Sequence, residues 1–168
     1  PGALTYGSGG SGSTEHLSGE MFKSFAGVDM LHVPYKGGAQ VIIDVISGQI
    51  AMMFVNQVAA LPQIQGGRVK ALAVAGSARS PSLPDVPTFA ELGIKGLESA
   101  YTWLGLLGPA KLPAPLASKI SNETINLMRQ PEMAKRLSAD GYELVASTPD
   151  QFARDMKAEV KVSAEIIR

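Results

Sequence analysis

The chain has 168 residues, 15 Lys and Arg against 15 Asp and Glu, a formal net charge of +0 and 45% hydrophobic residues. That length suits one domain or one and a fraction, and the apolar share is too high for an intrinsically disordered chain. Balanced charge leaves no footprint for nucleic acid or an anionic membrane. The lack of Cys excludes disulfides and thiolate metal sites, and no apolar run approaches the roughly 18 residues of a membrane span.

Leu4 to Tyr6 is short and strand-like, and it runs into the Gly/Ser stretch YGSGGSGSTEHL. From Thr14, apolar residues at Leu17, Met21, Phe22 and Phe25 fall at helical spacing, and Gly27 stops that helix. Met30 to Val33 reads as a second strand, followed by the loop Pro34-Tyr35-Lys36-Gly37-Gly38. Val41, Ile42, Val45 and Ile46 place the next helix, ended by Ser47-Gly48. Ile50 to Val55 is nearly all apolar, as expected for a strand covered on both faces. Asn56 closes it, a helix containing Leu61 and Ile64 runs to Gly66-Gly67, and Val69 to Ala75 reads as a fourth strand. The repeated order of strand, loop and helix predicts an α/β fold with a mainly parallel sheet and right-handed crossovers.

The pattern changes after Gly76. A Pro-rich connection from Ser80 to Pro87 leads to a short helix predicted at Phe89 to Leu92, and Leu97 to Leu107 reads as a long extended segment. Pro109, Pro113 and Pro115 surround the start of a helix running to about Arg129, and Pro131 begins another that ends at Gly141. Tyr142 to Val145 reads as a strand. Thr148-Pro149-Asp150-Gln151 has the form of a helix start, with Thr at the cap, Pro at the first position and Gln completing a capping box; that helix runs to Arg168. Helices with one lone strand cannot complete a sheet, so this half must pack on something else.

Position decides the meaning of the Gly/Ser stretch. A flexible tether has no reason to lie between a strand and an amphipathic helix. Gly9, Gly10 and Gly12 allow a tight turn with N–H groups pointing inward, while Ser11, Ser13 and Thr14 can cap the helix and present hydroxyls. A helix N-terminus favours an anion, although Glu15 in the first turn would compete with one. Lys36-Gly37-Gly38 and Asn56 also follow strands and open helices. In a parallel sheet such loops share one edge, which outlines a carboxylate or phosphate site. The stretch lacks the Gly-Lys-Ser/Thr ending of a P-loop.

The segment from Tyr6 to Phe54, with ALAVAGSARSPSLPDVPTFAELG and WLGLLGPAKLPAPL, closely resembles the Bug family. These TctC-like proteins are the periplasmic solute-binding receptors of tripartite tricarboxylate transporters. HVPYKGG and SPSLPDVPTFAELG are the most specific motifs, and the resemblance covers essentially the whole chain. It implies a periplasmic-binding-protein-like, type II Venus-flytrap lobe. Residues 1–102 would be the ligand-binding second lobe. Residues 103–168 would be a hinge crossing and C-terminal helices belonging to an incomplete first lobe. The start at Pro1-Gly2-Ala3-Leu4 without a Met is accordingly expected to reflect truncation, with the family's signal peptide and N-terminal elements lacking a counterpart.

The resemblance further implies a small carboxylate ligand, a membrane permease as partner, a periplasmic location and no cofactor. Carried over by motif, the ligand contacts are Ser8, Gly10, Ser11, Gly12, Ser13, Thr14 and His16 of the first loop, Lys36, Gly37 and Gly38 of the second, and Asn56. Val55 stands where the family often has an acidic residue and Ser11 where it often has Asn, and both bear on ligand choice. A face left by the missing lobe is expected to favour dimerisation.

His16 either meets a ligand or caps its helix, and Lys36 either pairs with a carboxylate or is solvated. His32, mid-strand, reads as structural, Tyr35 as packing, and Trp103 as a hinge-packing residue. His16 and His32 are expected to be too few and too far apart to form a metal site without a local cluster of carboxylates. Enzymatic function is disfavoured, since no G-x-S-x-G elbow is present and Ser13 with His16 on one helix start gives poor triad geometry. A non-transport interaction or sensing module of the same fold is the alternative.

Overall fold

A computed structural model describes residues 4–98, 100 and 102–166, and within it the chain forms two compact units, Pro1–Thr102 and Trp103–Arg168. The first unit holds strands β1 (Thr5–Ser8), β2 (Leu31–Pro34) and β3 (Met52–Met53) and helices α1 (Thr14–Ala26), α2 (Gly38–Ile46) and α3 (Gln57–Gln65). The second holds α4 (Ala114–Met128), α5 (Pro131–Ala139) and α6 (Pro149–Ile166).

The sheet is parallel in the order β2-β1-β3, with Tyr6 paired to His32 on one side and to Met52 on the other. The chain thus moves from β1 outward to β2, then crosses back past β1 to reach β3. Successive residues of β1 face opposite sides, and each side receives one helix. Tyr6 packs under α1, where Gly19 is required because a Cβ there would run into the phenol ring. Gly7 packs under α2, where a Cβ would come within 2.5 Å of Val41 Cγ1 and 2.6 Å of Ile50 Cδ1. Tyr6, Met21, Met30, Val41, Ile42, Ile50, Ala60, Leu61 and Leu97 are the buried apolar core.

Local signals set the helix ends. Ser13 Oγ accepts the His16 amide at 3.2 Å, and Gly27 terminates α1 in the left-handed region with its N–H on the Lys23 carbonyl. Asn56 Oδ1 accepts the Val58 amide at 3.0 Å to cap α3. At α6, Thr148 Oγ1 accepts the Gln151 amide at 3.3 Å. Gln151, expected to close a capping box, instead bonds Asp155 and Arg154 with its side chain.

Four expected elements differ. Ile50 to Val55 contributes only the two paired residues of β3. Val69 to Ala75 is not a strand; within it Val74 makes one isolated parallel bridge, to Thr88. Tyr142 to Val145 is likewise without strand structure. A β-rich sequence becomes a strand only where a ladder of N–H and C=O groups receives it, and the two-residue β3 offers almost none. Phe89 to Leu92 forms turns rather than a helix. Here Thr88 and Glu91 exchange reciprocal capping bonds, Thr88 N to Glu91 Oε2 at 2.7 Å and Glu91 N to Thr88 Oγ1 at 3.1 Å. Gly93 follows at once and stops propagation. Of the expected extended segment Leu97 to Leu107, Ser99 and Tyr101 lie outside the described residues and the remainder carries no strand; Arg168 also lies outside them.

Candidate functional site

All eleven candidate residues belong to the first unit: Ser8 ends β1, Thr14 and His16 lie in the first turn of α1, Gly38 begins α2, and the rest lie on the loops between these strands and helices. Because β2 and β3 flank β1, the loop before α1 and the loop before α3 diverge to opposite faces of the sheet. That divergence is the crevice where ligands bind in open α/β sheets.

The first two loops touch, and the second reaches the end of the third strand. A Cβ built on Gly9 would lie 3.5 Å from the Gly38 amide nitrogen, and one on Gly10 would lie 3.3 Å from the Tyr35 carbonyl oxygen. A Cβ on Gly38 would lie 3.9 Å from Val55 Cγ2, so Val55 borders the place where the loops meet. Gly10, Gly12 and Gly37 have φ of 140°, 81° and 134°, conformations that a side chain would strain. The Tyr35 amide donates to the Ser8 carbonyl at 3.1 Å, and the Tyr35 hydroxyl donates to Asp44 Oδ2 at 2.7 Å, which anchors the second loop to α2. The Asp44 hydrogen bond raises the Tyr35 phenol above its ordinary value. An open depression lined by Pro34, Tyr35, Lys36, Gly37, Ala39 and Gln40 adjoins this end; it includes Lys36 and Gly37 but no residue of the first loop.

Candidate side chains fall into separate roles. Ser11, Gly12 and Lys36 are exposed, whereas Gly10, Ser13, Thr14, His16, Gly37, Gly38 and Asn56 are half-buried. Ser13 and Asn56 spend their side-chain oxygens on helix caps. Ser8 is fully buried, and its hydroxyl lies 2.7 Å from His32 Nε2 and 3.2 Å from both the carbonyl and the amide of Gly10. His16 Nδ1 accepts the Gly12 amide at 3.1 Å, and its Nε2 lies 4.0 Å from Glu20 Oε1. Glu15 places a carboxylate oxygen 3.8 Å from a Cβ built on Gly9.

Beneath the first loop lies a stack of three rings. His32 sits between Tyr6, at a centroid distance of 4.9 Å, and His16, at 4.0 Å, with interplanar angles of 26° and 21°. Tyr6 donates its hydroxyl to Glu20 at 2.6 Å, and Lys23 donates to both Glu20 oxygens at 3.0 Å. Burial, then the adjacent His16, lowers the His32 imidazole below its ordinary value. Burial and the bond to Glu20 push the Tyr6 phenol well up. Burial would raise the Glu20 carboxyl, but the Tyr6 and Lys23 bonds with the Lys23 charge bring it below the ordinary carboxylate value. Sequence reading left Tyr6, Glu20 and the His32–Ser8 pairing out of the site. Their partners stand 14 and 24 residues away, beyond the reach of a local pattern.

A buried Ser beside a His superficially resembles a nucleophile and its base. Attack requires an accessible oxygen, and Ser8 has none. Among the described residues no group of three or more His, Cys, Asp or Glu could hold a metal ion, and no helix is long and apolar enough to cross a membrane.

Comparison with known proteins agrees with this architecture. The model of the tripartite tricarboxylate transporter family receptors matches residues 1–168. A UPF0065 protein from the tcbD-tcbE intergenic region of Pseudomonas sp. (strain P51) is 32% identical over 162 residues, which are 96% of this chain and 48% of that protein. The structure of R. palustris Rpa4515 with adipate is 30% identical with a TM-score of 0.89, covering 99% of this chain and 55% of that one. MatC (Rpa3494) from Rhodopseudomonas palustris with bound malate is 26% identical with a TM-score of 0.80, covering 99% and 57%. The chain therefore spans about half the length of these relatives. A parallel sheet with helix-opening Gly-rich loops at one edge, matched from end to end by the family model, places this chain among the TctC, or Bug, receptors of tripartite tricarboxylate transporters.

Proposed function

We propose that residues 1–102 form the ligand-binding lobe of an extracytoplasmic receptor that captures a small carboxylate for a tripartite tricarboxylate-type transporter. Residues 103–168 supply the hinge crossing and the C-terminal helices of the other lobe. The observation that carries this reading is the approach of Gly9 and Gly10 to Tyr35 and Gly38, with Val55 bordering Gly38, at the C-terminal edge of β1. Backbone amides at the starts of α1, α2 and α3 would grip one carboxylate, helped by helix dipoles and by the exposed Lys36. Gly10, Ser11, Gly12, Ser13, Thr14, His16, Gly37, Gly38 and Asn56 join Lys36 as the contacts of this grip, and Ser8 supports it from below. Closure of the two lobes about the hinge would then present a ligand-loaded form to the permease. Adipate and malate in two structurally similar proteins support an aliphatic dicarboxylate as the class to test.

The test is an amide NMR titration of the chain with adipate, with malate and with the diamide of adipate. The acids should shift Gly10, Gly12, Ser13, Gly37 and Gly38, and the diamide should not. Equal response to acid and diamide, or no response at these amides, would overturn the reading.

A further inference from the structure

Resting on the carboxylate reading above, we infer that ligand capture by the first loop is coupled to proton uptake by His16. The inference comes from one hydrogen bond and its surroundings. His16 Nδ1 accepts the Gly12 amide at 3.1 Å, so in this state Nδ1 carries no proton and the Gly12 N–H is occupied. A proton arriving at Nδ1 turns that acceptor into a donor, and two N–H groups cannot face each other. The Gly12 bond must break. Both N–H groups are then available to the same acceptor, and a positive charge stands beside them. An ionised carboxylate, which only accepts hydrogen bonds, matches that pair.

The charged and titratable neighbours of His16 come from two elements. On α1, Glu20 faces the other ring nitrogen of His16 at 4.0 Å, and Lys23 donates to Glu20. Glu15, in the first turn, lies by Gly9. From β2, His32 stacks on His16 at 4.0 Å, where a second positive charge would be repelled. His32 is itself stacked on Tyr6 of β1, and burial lowers its imidazole below the ordinary value. With Nε2 lying 2.7 Å from Ser8, His32 acts as a positioning residue: it holds Ser8, which holds both backbone groups of Gly10, while Gly12 is left to follow His16.

Two measurements test this. In the ligand-free chain, the Gly12 amide proton and the His16 ring nitrogens should titrate with a common midpoint; a Gly12 resonance that ignores the His16 titration overturns the coupling whatever binds. Calorimetry with adipate between pH of about 8 and about 6 should show affinity rising at least about fivefold, with a net proton taken up in buffers of different ionisation enthalpy. The second carboxyl of a diacid is partly protonated at the lower end of that range, so the ionisation of free adipate, titrated alone in the same buffers, is subtracted and the remaining proton uptake belongs to the protein. His16→Gln should flatten the pH profile. Binding that is insensitive to pH in the unaltered chain overturns the coupling and leaves the carboxylate reading standing; no binding of any acid at any pH overturns both.

Discussion

The two units place their apolar residues in opposite ways. In the first, Tyr6, Val41 and Leu97 are 0–1% exposed, with Tyr6 and Val41 held between the sheet and the helices on its two faces. In the second, no described residue is buried, and Leu104, Leu106, Leu107 and Val160 are 67–78% exposed. Its contacts include the local Thr148 cap and two that reach far along the chain, the Trp103 ring set edge-on to Phe152 at 5.0 Å and the bond from the Trp103 indole to Glu159, yet none of them encloses an apolar side chain. Amphipathic helices thus form readily on caps and spacing, but a core needs a second apolar face. The first unit brings its own, because β1 has two sides and a helix for each.

That contrast can be broken by mutation. Leu97→Ala should destabilise the chain by about 2–5 kcal/mol, since it empties a filled site. Leu107→Ala, in the second unit, should change stability by no more than about 0.5 kcal/mol. Denaturant midpoints at matched slope report both, and similar losses would erase the distinction. Next in size is Gly19→Ala. The added methyl meets the fully buried Tyr6 ring, which has no free direction to move, so about 1–3 kcal/mol should be lost despite the usual gain of replacing a helical Gly. A stabilised variant would show that α1 can slide on β1.

The smallest expected effect is a pH dependence that sharpens the role of the ring stack. His32 has a lowered pKa in the folded chain, so the unfolded chain binds more protons as pH falls through its usual 6.5. The stability His32 contributes is present above that value and is lost progressively below it. Glu20, also lowered, adds a loss of the same sign further down, below the usual 4.5. Urea melts across this range should show the upper step in the unaltered chain and lack it in His32→Gln; an unchanged step would assign it to another group.

Several parts of the site were legible because they depend on neighbours in sequence. Ser13 before Thr14, Gly27 after Ala26 and Asn56 before Gln57 announce helix ends through groups within four residues of one another. Glycines at 10, 12 and 37 announce backbone that only glycine adopts easily. Legibility fails where a partner is distant or missing. Val69 to Ala75 has strand composition, yet composition supplies no ladder to join. Gln151 had the spacing of a capping box, but Arg154 and Asp155 on the next turn offered its amide better partners.

By itself, the sequence determined the first three strand–helix units, the ends of helices α1 to α3 and the three Gly- or Asn-marked loops, since these follow from spacing, capping and φ preferences over a few residues. Only the tertiary structure decided the order β2-β1-β3 that brings those loops together, the burial of Ser8, and the stack of Tyr6, His32 and His16 beneath the first loop. The physical reason is that strand pairing and ring stacking join residues far apart in the chain, and no local pattern fixes which partners will meet.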